Sequence, residues 1–226
     1  MTMPFYVAPE QVMKDRADYA RKGIARGRSL AGLIYNDGVL ICAENQSRSL
    51  HKVSEIYDHI AFAGVGRYNE FDSLRTAGVR LADLRGYSYS REDVDARSLA
   101  NAYAQTLGQV FTHEMKPMEV EILVAELGVD DHPDQLFHIL YDGTVVDEEN
   151  FTVLGGEAET IAERLKEGFS EGMELGVALR AAVSALAGPE RTLTANDLEV
   201  AHLARSNGRR AFKRIVDGEL EQLLGG

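Results

Sequence analysis

The apolar residues of the chain follow two patterns, one with helical spacing and one with runs that are apolar at every position. The segment Pro9–Lys22 has apolar side chains at Met13, Ala17 and Ala20, spaced by three and four between charged positions. Proline suits a first helical position because its missing N–H has no intrahelical acceptor to lose, and Gly23 follows as a stop. The pattern predicts a helix over 9–22 whose narrow apolar stripe docks on the surface of a domain.

The segments after this helix predict strands without polar alternation. Ser29–Tyr35 is apolar on both faces, the turn signal Asn36-Asp37-Gly38 follows it, and Val39–Ala43 returns as a second strand. Strands that are apolar on both faces are covered on both faces. Two more short strand patterns lie at 51–57 and 60–66, and the four strands are predicted to form a meander.

The rest of the chain alternates between blocks of strands and pairs of helices. The predicted elements after residue 67 are helices at 68–84 and 93–113, which should pack together, strands at 118–127, 135–141 and 144–153, helices at 158–168 and 175–187, strands at 198–203 and 210–215, and a helix at 217–224. Blocks of strands and pairs of helices are typical of an α+β layered domain. Two packed sheets with helix pairs outside would bury both faces of each strand, which predicts a four-layer α-β-β-α sandwich with an added N-terminal helix.

Length and composition fit one large domain. The chain has 226 residues, 45% of them hydrophobic, which is enough to fill a sizeable core. We therefore expect a single domain over 1–226, with an N-terminal segment at 1–8, the helix at 9–22, the sandwich at 29–216 and a C-terminal helix and tail at 217–226. No stretch approaches the roughly 20 apolar residues of a membrane-spanning helix, and residues 1–8 lack the features of a signal peptide.

Charge and cysteine content narrow the function classes. The formal net charge of −12 argues against nucleic acid as a partner, since such binding depends on neutralising phosphates. A single cysteine, Cys42, excludes an internal disulfide framework and fits the reducing cytoplasm. The six histidines show no metal-ligand spacing, and Gly64-Val65-Gly66 and Gly155-Gly156 lack the context of a phosphate-binding turn. The sequence predicts neither a metal nor a cofactor.

Four spaced blocks of sequence carry a resemblance to a known family. They are Tyr19–Ser29 (YARKGIARGRS), Asn36–Leu40 (NDGVL), Arg48–Asp58 (RSLHKVSEIYD) and Leu99–Gly108 (LANAYAQTLG). In this order they resemble the α-type subunit of the 20S proteasome in its actinobacterial form, and the similarity extends from about residue 3 to residue 224. The resemblance implies the N-terminal-nucleophile hydrolase fold, which has the α-β-β-α order predicted above.

The same resemblance implies a function and partners. Such subunits form seven-membered rings with identical copies of themselves, stacked on rings of β-type subunits that carry the threonine-protease activity. The α rings are not catalytic. They gate the admission of substrates, template the β rings and dock the C-termini of a hexameric ATPase that unfolds pupylated proteins, or of a smaller ATP-independent activator.

The position where related enzymes carry a nucleophile supports a non-catalytic subunit. An N-terminal-nucleophile enzyme begins at a Thr, Ser or Cys whose free α-amino group acts as the base. By the resemblance this position opens the first strand, and here it is Arg28, which cannot serve as a nucleophile. The alternative is a peptidase that uses Ser29 after self-cleavage, which would discard the 9–22 helix and would show as a shortened intact mass. An unrelated α+β binding module, which predicts a monomer, is the third hypothesis.

The resemblance also assigns a docking site for regulators. The lysine matching Lys52 lines a pocket between neighbouring α subunits and receives a regulator's C-terminal carboxylate, and a charge-assisted bond suits that contact. Gly27 matches a glycine of the same pocket, and Arg26 and Arg28 beside it would add positive potential. On the residues alone, Lys52 reads as a solvated lysine at the start of a strand and Gly27 as a hinge between helix and strand.

The gate is assigned to the first eight residues, Met1-Thr2-Met3-Pro4-Phe5-Tyr6-Val7-Ala8. Their apolar and aromatic side chains could cluster around a ring axis and close a pore. The alternative is a frayed terminus. This segment is shorter than in archaeal and eukaryotic α subunits and lacks their Tyr-Asp-Arg gate motif, so the geometry of those gates is not carried over.

Overall fold

Residues 8–130 and 132–225 are described by a computed structural model. Their α-helices and strands, in chain order, are α1 (Pro9–Ile24), β1 (Leu30–Tyr35), β2 (Gly38–Glu44), β3 (Val53–Tyr57), β4 (Ile60–Gly66), α2 (Tyr68–Ser88), α3 (Ala96–His113), β5 (Val120–Glu126), β6 (Gln135–Ile139), β7 (Val145–Glu148), β8 (Phe151–Leu154), α4 (Ala158–Gly168), α5 (Leu175–Ala187), β9 (Leu198–Ala204), β10 (Phe212–Ile215) and α6 (Asp217–Gly225). No helix within these ranges has both the length and the apolarity to cross a bilayer.

The strands form two antiparallel five-stranded sheets that pack face to face. One sheet has the order β10-β9-β2-β1-β8, and the other has the order β3-β4-β5-β6-β7. Their contact is made of aliphatic and small side chains, among them Leu30 and Ile41 of the first sheet and Ala63 and Leu123 of the second. At Gly32 a side chain would meet Leu123, since a Cβ there would lie 2.5 Å from Leu123 Cδ2. The sheets therefore lie so close that this position has room only for hydrogen.

Helices cover the outer face of each sheet. Helices α2 and α3 pack on the sheet that contains β4 and β5, through buried residues such as Phe71 and Leu107. Helices α4, α5 and α6 pack on the sheet that contains β1 and β2, through residues such as Leu165 and Leu179. Each sheet is thus buried on both faces, and the predicted four-layer α-β-β-α sandwich is confirmed.

Helix α1 docks at one end of the sandwich, as its narrow stripe predicts. Ala20 and Ile24 are buried in the core between the sheets, and Arg16 donates to the Phe111 carbonyl oxygen at 2.6 Å. The prediction that Gly23 ends the helix is wrong, because α1 continues to Ile24. Gly23 instead lies against the Glu119 side chain, which would overlap a Cβ at this position. The missing side chain of Gly23 therefore allows Glu119 to approach the helix closely.

Two predictions of strand organisation are wrong. The first four strands do not form a meander, because β1 and β2 pair in one sheet and β3 and β4 in the other. The predicted strand 144–153 is two strands in different sheets, since β7 pairs with β6 and β8 pairs with β1. The chain crosses between the sheets at 45–52 and again at 149–150. Neither crossing contains Gly or Pro, so the sequence has no breaker at these points.

Replacing Gly78 by alanine tests the packing between α2 and α3. Alanine is the better helix former by about 1 kcal/mol, so propensity alone predicts a more stable protein. A Cβ at Gly78 would overlap the buried Tyr103 hydroxyl, and overpacking of this kind costs about 1–3 kcal/mol. We expect Gly78→Ala to lower the free energy of unfolding, measured with urea.

The matched control is Gly108→Ala in α3, where a Cβ would lie 3.5 Å from the Asp142 carbonyl oxygen. This contact is ordinary, so the control should leave the free energy of unfolding unchanged or raise it. Equal stabilisation by both substitutions would contradict the packing described here.

Candidate functional site

The segment that joins α1 to β1 lines a cavity of about 560 Å³ at the end of the sandwich. Three of the four predicted docking residues, Arg26, Gly27 and Arg28, lie on its wall. The full lining is Ala25, Arg26, Gly27, Arg28, Ser29, Glu44, Gly156, Glu157, Ile161 and Arg191. Three of these residues are arginines and two are glutamates, so the wall carries one net positive charge. We call this space the Arg28 cavity.

A buried carboxylate, Glu44, organises the Arg28 cavity. Its side chain is only 6% exposed and lies 3.1 Å from Arg28 Nη1 and 3.0 Å from Arg191 Nη1. Arg191 also donates to the Leu186 carbonyl oxygen at the end of α5, at 2.8 Å. A buried charge that loses its partner is costly, so Glu44 keeps both guanidinium groups at the wall. Neither Glu44 nor Arg191 stood out in the sequence, because they are 147 residues apart.

Lys52 lies behind the wall of the Arg28 cavity, and it is not among the described residues that line the cavity. Its Nζ donates to the Arg28 carbonyl oxygen at 2.6 Å, so the ammonium group is held two residues before β1. The structure thus brings all four predicted docking residues to one place, with Lys52 reaching it from the start of β3.

The environment of Lys52 weakens its hold on the proton. The pKa of its ammonium group is lowered to about 8, chiefly by burial and to a smaller extent by the nearby Arg28. The carboxylates of Glu199 and Glu44 oppose this shift. At neutral pH the group is therefore still mostly charged and can donate to an anion, but its charge is lost at a lower pH than for an ordinary lysine.

Gly27 has a packing reason to be glycine, and its backbone is not in the left-handed region. A Cβ there would lie 3.1 Å from the Gly66 nitrogen and 3.2 Å from Val65 Cγ1 at the end of β4. The hinge interpretation is therefore supported by close approach to β4 more than by backbone freedom. A larger residue would push the α1–β1 segment away from the second sheet.

A second, smaller cavity of about 250 Å³ lies on the other side of Gly27. Its lining is Tyr19, Gly23, Arg26, Gly27, Gly66, Arg67 and Glu119. The buried Glu119 carboxylate lies 3.2 Å from Arg67 Nε and 3.1 Å from Lys116 Nζ. The Glu119 side chain lies against Gly23 near the end of α1, and Arg26 and Gly27 line both cavities.

Ser29, the nucleophile of the alternative peptidase hypothesis, is buried beneath the turn that follows β8. Its residue exposure is 9%, and a Cβ at Gly155 would lie 2.6 Å from Ser29 Oγ. Within residues 8–130 and 132–225, no hydrogen bond joins Ser29 Oγ to an acidic or basic side chain. The side chain is therefore placed as a packing residue.

Two further predictions concern other parts of the chain. Of the predicted gate, residues 1–7 lie outside the described residues, and Ala8 is exposed just before α1. Among the residues that the structure describes, no three or more His, Cys, Asp or Glu side chains converge as a metal-binding group. Cys42 is fully buried on β2, where burial raises the pKa of its thiol to about 12.

The family model and similar curated proteins agree on one family. The family model described as "Proteasome subunit" matches residues 24–203. The proteasome subunit alpha of Acidimicrobium ferrooxidans is 62% identical over 225 residues, covering 100% of this chain and 97% of that protein. The proteasome subunit alpha of Thermomonospora curvata is 57% identical over 226 residues, covering 99% and 98%. That of Sanguibacter keddieii is 58% identical over 229 residues, covering 99% and 90%.

The lowered pKa of Lys52 predicts how the free energy of unfolding depends on pH. In the unfolded chain a lysine keeps its proton up to about pH 10.4, whereas folded Lys52 loses it near pH 8. Between these values unfolding takes up a proton, so raising the pH favours the folded chain. Relative to Lys52→Met, the wild type should gain about 1–3 kcal/mol of unfolding free energy from about pH 8 to about pH 10, since solvent screens part of the effect. Urea unfolding of the isolated chains measures this difference, and a difference independent of pH would contradict the lowered pKa.

Proposed function

The chain belongs to the proteasome subunit family as an α-type member, and from this we propose that it forms the seven-membered outer rings of a bacterial 20S core. In this proposal identical α subunits template and cap rings of β-type subunits, which carry the threonine-protease activity. The α ring gates the admission of substrates and docks a hexameric ATPase or an ATP-independent activator that delivers pupylated proteins. The setting is the cytoplasm, with which the single buried thiol agrees.

The observation that carries the non-catalytic role is the packing of α1. An N-terminal-nucleophile enzyme must expose the amine at the start of β1, and here that position is preceded by a helix whose Ala20 and Ile24 lie in the core. Cleavage before Ser29 would remove this helix and open the core between the sheets. Ser29 itself is buried beneath Gly155. These features favour an uncleaved subunit over the alternative peptidase.

The proposed docking site is the group formed by Lys52, Gly27, Arg26 and Arg28. The Lys52 ammonium uses one proton for the Arg28 carbonyl oxygen, and an ammonium group has three. Its other protons are available to a C-terminal carboxylate, and a charge-assisted bond of this kind is about twice as strong as a neutral one. Arg26 and Arg28, both exposed, add positive potential along the wall of the Arg28 cavity.

The proposed gate is the segment Met1–Ala8. It joins the described structure at Ala8, an exposed residue at the start of α1. Seven such segments, one from each subunit of a ring, would bring apolar side chains such as Phe5 and Tyr6 together around the axis.

Replacing Lys52 by alanine tests the docking site. The substitution removes the ammonium that would bind the regulator's carboxylate, so we expect activator-stimulated protein degradation to be lost while the rings still assemble. The assay is degradation by the reconstituted α–β particle with and without the hexameric ATPase, alongside native mass. The control is Lys213→Ala, because Lys213 is an exposed lysine paired with Glu219 and outside the site. Unchanged stimulation of the Lys52→Ala particle would refute the docking role.

Deleting residues 2–8 tests the gate. If these segments close the pore, their loss should raise basal hydrolysis of small peptides by the assembled particle, without any regulator. A second variant replaces Pro4-Phe5-Tyr6-Val7 by a Gly-Ser linker of equal length, which separates the effect of apolar side chains from that of length. No increase in either variant would mean that the pore is closed by another part of the ring.

A further inference from the structure

The start of β3, where Lys52 lies, is an edge with unpaired backbone groups. Strand β3 is the edge strand of its sheet and, among the residues that the structure describes, pairs with β4 alone. Its outer N–H and C=O groups therefore need other partners. The Lys52 N–H donates to Glu199 Oε2 at 2.8 Å, and the Val53 N–H donates to Glu199 Oε1 at 3.2 Å. One carboxylate therefore binds two successive amides. Glu199 belongs to β9, a strand of the other sheet.

Two more side chains complete this contact, which we call the Glu199 clasp. Arg214 of β10 donates both to Glu199 and to the Val53 carbonyl oxygen. Asn45 donates to Glu199 Oε2 at 2.8 Å from the crossing that precedes β3. The Glu199 side chain is 9% exposed, so these bonds are shielded from water. A shielded and saturated carboxylate holds its partners in one geometry.

We propose that Glu199 is the positioning residue of the regulator-docking site: it fixes the backbone of Lys52 across the two sheets and supplies the negative charge that offsets Arg28 beside the ammonium. This rests on the docking function proposed for Lys52. Glu199 does not touch the regulator in this assignment and acts only through Lys52. The contacts of Glu199 described above are all made within one chain.

The electrostatics around Lys52 give the proposal a signature that packing alone does not have. The charged and titratable groups placed around Lys52 are Glu199 of β9, Glu44 of β2, Arg214 of β10, Arg28 before β1 and the neighbouring His51, whose Nδ1 lies 3.2 Å from Glu199. Glu199 raises the pKa of Lys52, which burial lowers to about 8. Removing the charge of Glu199 should lower that pKa further, whereas removing Arg214 should raise it, because Glu199 is then less neutralised.

The experiment measures binding of a carboxylate probe as a function of pH. The protein is the α–β particle, and the probe is a fluorescent peptide with the free C-terminus of the hexameric proteasomal ATPase of the same organism. Its C-terminally amidated form reports binding that does not involve the carboxylate. Anisotropy is recorded from about pH 6.5 to about pH 9.5, a range that brackets the Lys52 pKa near 8.

We expect wild-type affinity to fall as the pH rises through about 8, because the ammonium loses its proton. For Glu199→Gln the fall in affinity should occur at lower pH, and for Arg214→Gln it should occur at higher pH. Each pH unit by which the midpoint moves corresponds to about a tenfold change in the ratio of charged to neutral lysine. Two substitutions that merely loosened the fold would weaken binding in the same direction. The comparison is repeated in a His51→Asn background, which removes the imidazole that lies beside Glu199.

The matched control is Glu55→Gln, a carboxylate on the same strand that pairs with Arg210 and does not contact Lys52. Its pH midpoint should equal that of the wild type. Loss of carboxylate-dependent binding in Lys52→Ala, with unchanged midpoints in both Glu199→Gln and Arg214→Gln, overturns the positioning role and leaves the docking site standing. Unchanged binding in Lys52→Ala overturns the docking site itself. If Glu199→Gln does not assemble, Glu199→Asp takes its place, because it keeps the charge and shortens the reach to the Lys52 and Val53 amides. Weaker carboxylate-dependent binding then supports the positioning role, and unchanged binding overturns it.

Discussion

The close packing of the two sheets is the constraint on which the rest of the molecule depends. The sheets meet through small and aliphatic side chains, and at Gly32 the opposing Leu123 leaves no room for a methyl group. This contact brings the start of β3 in one sheet beside the start of β1 in the other. Lys52 Nζ spans the two sheets at this point, where it donates to the Arg28 carbonyl oxygen at 2.6 Å. The position of the candidate site therefore depends on how the two sheets pack.

Polar groups at this end of the sandwich follow from the same constraint. Glu44 and Glu199 lie on the paired strands β2 and β9, where Ala43 is opposite Glu199, so the two carboxylates project from opposite faces of one sheet. Glu44 points to the helical layer and binds Arg191, whereas Glu199 points to the other sheet and binds the backbone of Lys52. The adjacent ends of β2 and β9 therefore bind the helical layer on one face of their sheet and the other sheet on the opposite face. Each carboxylate is largely buried, and arginine partners compensate its charge.

The sequence predicted the elements well and their assignment to sheets poorly, for a physical reason. Apolar periodicity reports which residues are buried, and it located nearly every helix and strand, including the narrow stripe of α1. It does not report which sheet a strand joins, because strands buried on both faces look alike in either sheet. For this reason the sequence pattern does not predict the crossings at 45–52 and 149–150, or the division of 144–153 into β7 and β8.

The candidate site divides in the same way between local and distant residues. Arg26, Gly27 and Arg28 are consecutive, so a resemblance at one stretch of sequence identified them together, and Lys52 came from a second stretch. Glu44, Arg191 and Glu199 carry no local signal, since each gains its role from a partner on another element. Burial near Arg28 makes the Lys52 ammonium a stronger electrostatic partner and also a weaker base, because low polarity enhances its attraction to an anion and disfavours its charge. Glu199 and Glu44 are the buried carboxylates that oppose this loss of charge, since each raises the pKa of Lys52. The residues found by resemblance therefore depend, for their charge and their position, on residues that no local pattern could have selected.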